Sequence, residues 1–319
     1  MINHSDCDVR EITEQDFSDV SAETSQTFIY WVRLCSIVGR IGEHLRQSPS
    51  TPIGTEELLC QLRGWILGVS SHLSFPFPGT PTDRYNRQVY ELYLPYLSSL
   101  SILHMKRNAR GIPTAHTIAI LAASLVARIF QAFLLRGSLL FLQGMAGWHA
   151  AIALLALLHA RRSPKLRAAA DDDIKVLMTA LQDIAKRWDT AKMYASSIAK
   201  LLEAQDLNSA EVGVQSDATV GNNRDTRSTW VEAGDDSNNT TVERGDVTNY
   251  FPGATGTTTP LFGLLITVNG ITPLSDIAPN NGIGDLLYDI FDHPFDSTEY
   301  DVYNHMPEWG FAMDEVQLP

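Results

Sequence analysis

Two groups of residues have the side-chain chemistry of a catalytic or metal-binding site. His149 and His159 lie in one long apolar stretch, where imidazoles can contact a ligand or a metal ion. Asp171, Asp172 and Asp173 form a carboxylate triplet that could hold a cation. Consecutive helix positions point in different directions, and carboxylates are favoured at the positive end of the helix dipole. We therefore interpret the histidines as core or boundary residues with a backbone partner and the triplet as the start of a helix.

Motifs of the common enzyme classes are missing from the sequence, which has no Walker loop, GxGxxG, HExxH or GxSxG pattern. The three cysteines, Cys7, Cys35 and Cys60, show neither CxxC nor Cys/His spacing. An odd number of unpaired cysteines is typical of a reducing compartment. We predict a protein that is not an enzyme, with no catalytic residue, metal site or cofactor in this chain.

The most distinctive chemistry lies in the last 75 residues. Gly245 to Pro319 carry eleven Asp and Glu among bulky hydrophobic side chains, and no Lys or Arg. Such a segment cannot build its own core, but it can offer apolar side chains to a partner. If Asp285 to Asp292 becomes helical, four apolar side chains fall on one face, as in helices that bind a groove. The predicted contacts of this activation segment are Leu286, Leu287, Ile290, Phe291, Trp309 and Phe311.

Charge is divided unevenly between this tail and the rest of the chain. The formal net charge is −13, and residues 1–244 hold 24 basic and 26 acidic residues. A nearly neutral body argues against nucleic-acid binding through its own surface. The first residues are polar and acidic, so we do not expect a signal peptide.

Helical periodicity dominates the chain before residue 205 and predicts an all-α, multi-helix domain. Apolar spacing predicts helices over 23–47, 55–72, 83–107, 113–135 and 137–162, and a final amphipathic helix of about 30 residues that begins near Asp171. Pro113 stands where a first-turn proline is tolerated. No convincing period-2 pattern indicates a strand.

Composition changes after Gln205. Residues 206–260 are rich in Asn, Ser, Thr, Gly and Asp, which is typical of a disordered linker. Within the following segment, Leu261 to Val268 form a short apolar run that could dock on the helical domain. We therefore divide the chain into an all-α domain (1–205), a linker (206–260) and an acidic-hydrophobic tail (261–319).

Four segments carry a resemblance to a known family. Asp6 to Phe17 resembles a stretch of the middle homology region of fungal Zn2Cys6 transcription factors. Tyr96 to Met105, His116 to Ile129 and Trp188 to Ala191 resemble later helices of that region, in the same order. The series is similar to the C-terminal portion of the region in members related to cutinase-gene regulators. The zinc cluster and the first half of the region are not in the sequence, so we expect a partial, truncated form.

The resemblance implies a function in the nucleus. A member of this family regulates RNA polymerase II transcription, and its DNA binding and its zinc belong to an N-terminal cluster that this chain lacks. The helical domain would be regulatory, with a small molecule as a possible effector. The acidic tail would recruit coactivator or Mediator-type proteins and thereby act as an activator.

Two alternatives remain open at this point. A helical hairpin at about 114–160 would make the chain a small integral membrane protein, because Gly137 to Ala160 contain no charged residue. Against this, Arg128 and Arg136 interrupt the preceding helix, so we expect core helices rather than membrane contact. The other alternative is a non-catalytic all-α module that binds a ligand or a protein.

Overall fold

The protein is all-α, as predicted. The computed structural model describes residues 10–46, 54–75, 85–106, 112–216, 249–267, 270–271 and 287. The described helices are α1 (Ala22–Arg46), α2 (Gly54–Gly68), α3 (Arg87–Leu103), α4 (Thr117–Leu135), α5 (Met145–Ala160), α6 (Arg167–Ile184), α7 (Asp189–Ser216) and α8 (Pro260–Leu265).

Helices α4 and α5 form the centre of the bundle. α4 packs against α3, α5 and α6, while α5 also contacts α3 and α7, and α1 joins the bundle through α2 and α3. Every residue from His149 to Leu158 is buried, so α5 has no polar face. This is the expected behaviour of an uncharged helix surrounded by other helices.

One described helix, α4, is long and apolar enough to cross a membrane. Its most apolar stretch has a mean hydropathy of 2.2, and 67% of that stretch is buried inside the protein. The core helix of a helical bundle has the same length and composition. The burial of α4 therefore favours the core interpretation that the sequence suggested.

The start of α4 differs from its prediction. Pro113 was expected in the first helical turn, but the helix begins at Thr117. The preceding residues form a two-residue strand, β2 (Thr114–Ala115), which pairs antiparallel with β1 (Met105–Lys106). This pairing also ends α3 earlier than predicted, because the chain leaves the helix after Leu103 to form β1.

The final helix of the predicted domain is two helices rather than one. α6 ends at Ile184 and α7 begins at Asp189, so the prediction of a single helix of about 30 residues is wrong. Trp188 lies in the bend, and a Cβ atom added to Gly144 would lie 3.2 Å from its indole ring. The indole therefore packs closely on this glycine at the bend.

The C-terminal segment of residues 249–267 lies on the helical body. Its helix α8 contacts α4 and α6, and Leu261 and Phe262 are fully buried, which confirms the predicted docking of this apolar run. Tyr250 and Phe251 are also buried, and α7 continues to Ser216. Of the residues that composition assigned to the linker, 206–216 are thus helical, and Tyr250 and Phe251 are buried in the body. After α8, β3 (Ile266–Thr267) pairs with β4 (Gly270–Ile271).

Candidate functional site

The aspartate triplet is not the start of a helix. α6 begins at Arg167, so its first turn contains no acidic residue and the predicted capping role is wrong. Asp171 instead forms an ion pair with Arg161, with 2.6 Å between its Oδ1 and the Nε of the arginine. Asp172 is exposed, and Asp173 is buried with 4% of its surface accessible. Asp173 is the member of the triplet with a distinctive environment.

Asp173 belongs to a buried hydrogen-bond chain that joins α6, α4 and α8. The Ser124 hydroxyl donates to Asp173 Oδ2 at 2.6 Å, and the Ser124 and Thr259 hydroxyl oxygens lie 2.8 Å apart. Thr259 is the N-cap of α8, where it accepts a hydrogen bond from the Phe262 N–H at 3.2 Å. The chain therefore fastens the C-terminal segment to the centre of the bundle.

Burial controls the charge of this site. Removal from water, with a smaller contribution from Asp172, raises the pKa of Asp173 from 3.8 to about 6. The Ser124 hydrogen bond and the positive charge of Arg128 oppose that rise. A buried carboxyl group remains costly to ionise even when a hydroxyl lies beside it and an arginine lies at some distance. Asp173 consequently changes protonation near pH 6 rather than near pH 4.

Aromatic contacts fasten the beginning of the same segment. The Tyr96 hydroxyl donates to the Tyr250 carbonyl oxygen at 2.8 Å. The Tyr250 ring lies 5.3 Å from the Arg63 guanidinium carbon and 5.9 Å from the His104 ring. Phe251 meets Phe262 edge to face at 5.6 Å. Polar and aromatic contacts together make residues 249–267 part of the bundle core. We call this interface the C-terminal seam.

A small cavity of about 60 Å³ lies beside the seam, between α3 and residues 250–252. Tyr93 and Tyr96 line one side, and the Tyr93 hydroxyl is already bonded to the Leu73 carbonyl oxygen at 3.2 Å. A cavity of this size holds a few water molecules, whereas pockets for drug-sized ligands have volumes of about 300–1,000 Å³. The small-molecule effector therefore stays a prediction, and this cavity is too small for a drug-sized ligand.

His149 lies in the core and His159 at its boundary, as interpreted, but the partner of His149 differs from expectation. His149 is buried, its Nδ1 lies 2.9 Å from the Ser98 hydroxyl oxygen, and burial lowers its pKa to about 4. Its partner is thus a side chain rather than the backbone. Burial, with help from Arg162 and His116, lowers the pKa of His159 to about 4. All these effects favour neutral imidazoles at physiological pH.

His104 is a buried polar residue that the sequence did not single out. It is completely enclosed, and neither of its ring nitrogens has a hydrogen-bond partner among the described residues. Burial, and then the charge of His116, lower its pKa to about 3. No group of three His, Cys, Asp or Glu side chains that could hold a metal ion occurs in the described ranges. The neutral ring of His104 accordingly serves as a packing surface for Tyr250.

Of the six predicted tail contacts, the structure describes Leu287. It is buried, with 5% of its surface exposed, and it belongs to the hydrophobic core of the body. Leu286, Ile290, Phe291, Trp309 and Phe311 lie outside the described residues. Among its described residues, the acidic tail contacts the body at the seam and at Leu287.

Comparison with known proteins gives no relative. No protein-family profile matches the chain, and neither a curated protein nor a solved structure matches it.

We expect the substitution Tyr96→Phe to lower the free energy of unfolding by about 1 kcal/mol, because it leaves the buried Tyr250 carbonyl without its donor. Amide exchange at residues 249–252 should become faster, as measured by hydrogen-exchange mass spectrometry. Tyr93→Phe is the matched control, since it removes a similar hydrogen bond to Leu73. Equal acceleration at 249–252 in both variants would contradict the assignment of Tyr96 to the seam.

Proposed function

We propose that the protein regulates RNA polymerase II transcription in the nucleus, with an all-α body that carries an acidic activation tail. The observation that carries the proposal is that acidic charge is concentrated in the tail, together with aromatic side chains. The tail from Gly245 onward holds eleven acidic residues and no basic ones, while residues 1–244 are nearly neutral. Acidic-hydrophobic alternation of this kind is typical of activation domains.

The proposed mechanism is coupled folding and binding on a coactivator of the Mediator type. Apolar and aromatic side chains, among them Phe291 and Trp309, would enter an apolar groove, and the surrounding aspartates would steer the tail toward its basic rim. The body would act as a regulatory scaffold, and its burial of Leu287 is consistent with control over the tail.

The resemblance to fungal Zn2Cys6 regulators supports the proposal at the level of a family. Promoter binding would belong to a six-cysteine zinc cluster, and the printed sequence has three cysteines at unsuitable spacing. Cys35 and Cys60 are both exposed and unpaired. No zinc chemistry is therefore assigned to the residues of this chain.

A reporter assay tests the proposal. Residues 270–319 fused to an unrelated DNA-binding domain should raise reporter expression well above that of the DNA-binding domain alone. Replacement of Leu287, Phe291 and Trp309 by alanine should abolish the increase, because the acidic residues alone give no groove contacts. The matched control replaces Ser275, Asn280 and Thr298 by alanine, which leaves both the charge and the large apolar side chains unchanged.

Two outcomes would count against this role. A silent fusion that is expressed and nuclear would refute the activation function. Equal activity of the two alanine variants would show that the predicted apolar contacts do not mediate it.

A second candidate function is a non-catalytic all-α module that binds a protein, and the exposed apolar side chains of the body favour it. Leu135, Phe141 and Met145 each expose more than half of their surface. Contiguous apolar surface on a folded domain is typical of an interaction site.

A further inference from the structure

Five large apolar side chains are exposed together at one end of the bundle. They lie at the end of α4, in the connection to α5 and in the bend between α6 and α7. We call this surface the end patch: Leu135 (78% exposed), Leu140 (55%), Phe141 (66%), Met145 (59%) and Trp188 (44%). Two contacts hold its two halves together, namely the packing of Trp188 on Gly144 and a hydrogen bond from Arg187 Nη1 to the Leu140 carbonyl oxygen at 2.8 Å.

Arginines surround the end patch. The Arg87 guanidinium carbon lies 5.2 Å from the centre of the Phe141 ring, and that of Arg136 lies 4.3 Å from the centre of the Tyr85 ring. Arg87 forms an ion pair with Glu91, and Lys186 forms one with Asp183. Within the described ranges, no carboxylate forms an ion pair with Arg136 or Arg187. The patch thus combines apolar surface with two arginines that have no carboxylate partner among the described residues.

We infer that the end patch is the docking surface for residues 288–319 of the same chain. These residues include eight Asp or Glu, seven aromatic side chains and no Lys or Arg, which complements the patch in both charge and apolarity. Aromatic rings and arginines also attract each other directly.

The length of the tail allows this contact. Leu287 is buried in the body, and the 32 residues that follow it can span up to about 100 Å. A body of this size has a radius of gyration of about 17 Å, so every surface lies within reach. The tethered tail has an effective concentration of about 1 mM, so even a weak contact is populated.

A second copy of the chain is the alternative occupant, and charge argues against it. A two-fold symmetric contact through the end patch would place Arg136 and Arg187 of one copy near the same arginines of the other. Like charges across an interface oppose association. The acidic tail provides the opposite charge without a second molecule.

Docking of the tail on the end patch does not require that the tail activates transcription. If the tail also activates transcription, the end patch competes with the coactivator for the same aromatic side chains. The test of docking below uses no reporter, so its outcome is independent of the proposed function.

Site-specific photo-crosslinking of the full chain tests the inference. A benzophenone amino acid replaces Leu135, the most exposed residue of the patch, and the crosslinked peptides are mapped by mass spectrometry. We expect crosslinks within one molecule to residues 288–319. In an Arg136→Glu background their yield should fall about fivefold, as expected for loss of a surface charge contact worth about 1 kcal/mol.

The matched control carries the same crosslinker at Leu207, which is 69% exposed on α7. Leu207 lies 19 residues after Trp188, which corresponds to about 28 Å along a helix, and should give few crosslinks to the tail. Crosslinks between two copies through the patch would overturn the inference, as would equal yields at the two positions or no product at Leu135. Circular dichroism of each variant confirms that the helical fold is retained.

Discussion

Replacement of Phe262 by alanine is expected to lower the free energy of unfolding by about 3–4 kcal/mol. Its side chain is fully buried where α8 contacts α4 and α6, and it meets Phe251 edge to face. The cavity left behind cannot close easily, since α4 is a central helix held by three neighbours. The largest increase in amide exchange should appear in residues 249–267.

Leu264→Ala is the matched control for this experiment. Leu264 lies on the same short helix but is 46% exposed, so its truncation should cost well under about 1 kcal/mol. Urea unfolding followed by circular dichroism at 222 nm measures both variants. Similar losses for Phe262→Ala and Leu264→Ala would contradict the assignment of α8 to the body.

Substitution of Asp173 by asparagine is expected to stabilise the protein at pH 7.5 by about 1–2 kcal/mol. The folded protein raises the pKa of Asp173 from 3.8 to about 6, so folding favours the protonated carboxyl group. The stabilisation that comes from this pKa shift is fully present below about pH 4 and is lost as the pH rises through 6. The corresponding change in the free energy of unfolding is about 3 kcal/mol. Asparagine stays neutral and can still accept the Ser124 hydrogen bond, but its amide hydrogens need partners, which reduces the gain.

The measurement is the free energy of unfolding of both proteins from pH 4 to pH 8. The advantage of Asp173→Asn should grow between pH 4 and pH 7 and then stay constant. His149 and His159 titrate in both proteins, so the difference isolates Asp173. Asp172→Asn is the surface control and should change stability by less than about 0.5 kcal/mol. A variant that is less stable than wild type at pH 7.5 would show that the ionised carboxylate stabilises the seam.

The helices could be predicted well because the spacing of apolar residues is a local feature of the sequence. The uncharged runs that became α4 and α5 indicated core helices, and both are buried. The break between α6 and α7 could not be predicted in the same way. Trp188 lies four residues after Ile184 and so fits a continuous helix, whereas its contact with Gly144 at the bend joins residues that are distant in sequence.

The seam shows why the site was harder to predict than the fold. Asp173 was interpreted from its two acidic neighbours, although it lies four and eight residues before Leu177 and Leu181 on the buried face of α6. The Thr259-Pro260 pair is a typical helix start, with a capping hydroxyl followed by a first-turn proline. Both signals were present in the sequence. The contact between Asp173 and Thr259 through Ser124, however, depends on the packing of three helices. His104 had no local signal of its burial.

The proposed activating role belongs to the tail, whose composition supports activation while the body anchors its beginning. The most direct test is a reporter assay with the full chain, residues 1–319, fused to an unrelated DNA-binding domain. We predict expression well above that of the DNA-binding domain alone, and its loss when residues 288–319 are removed from the same fusion. Background expression from the intact fusion, or full expression after removal of the tail, would contradict an activating role of the tail.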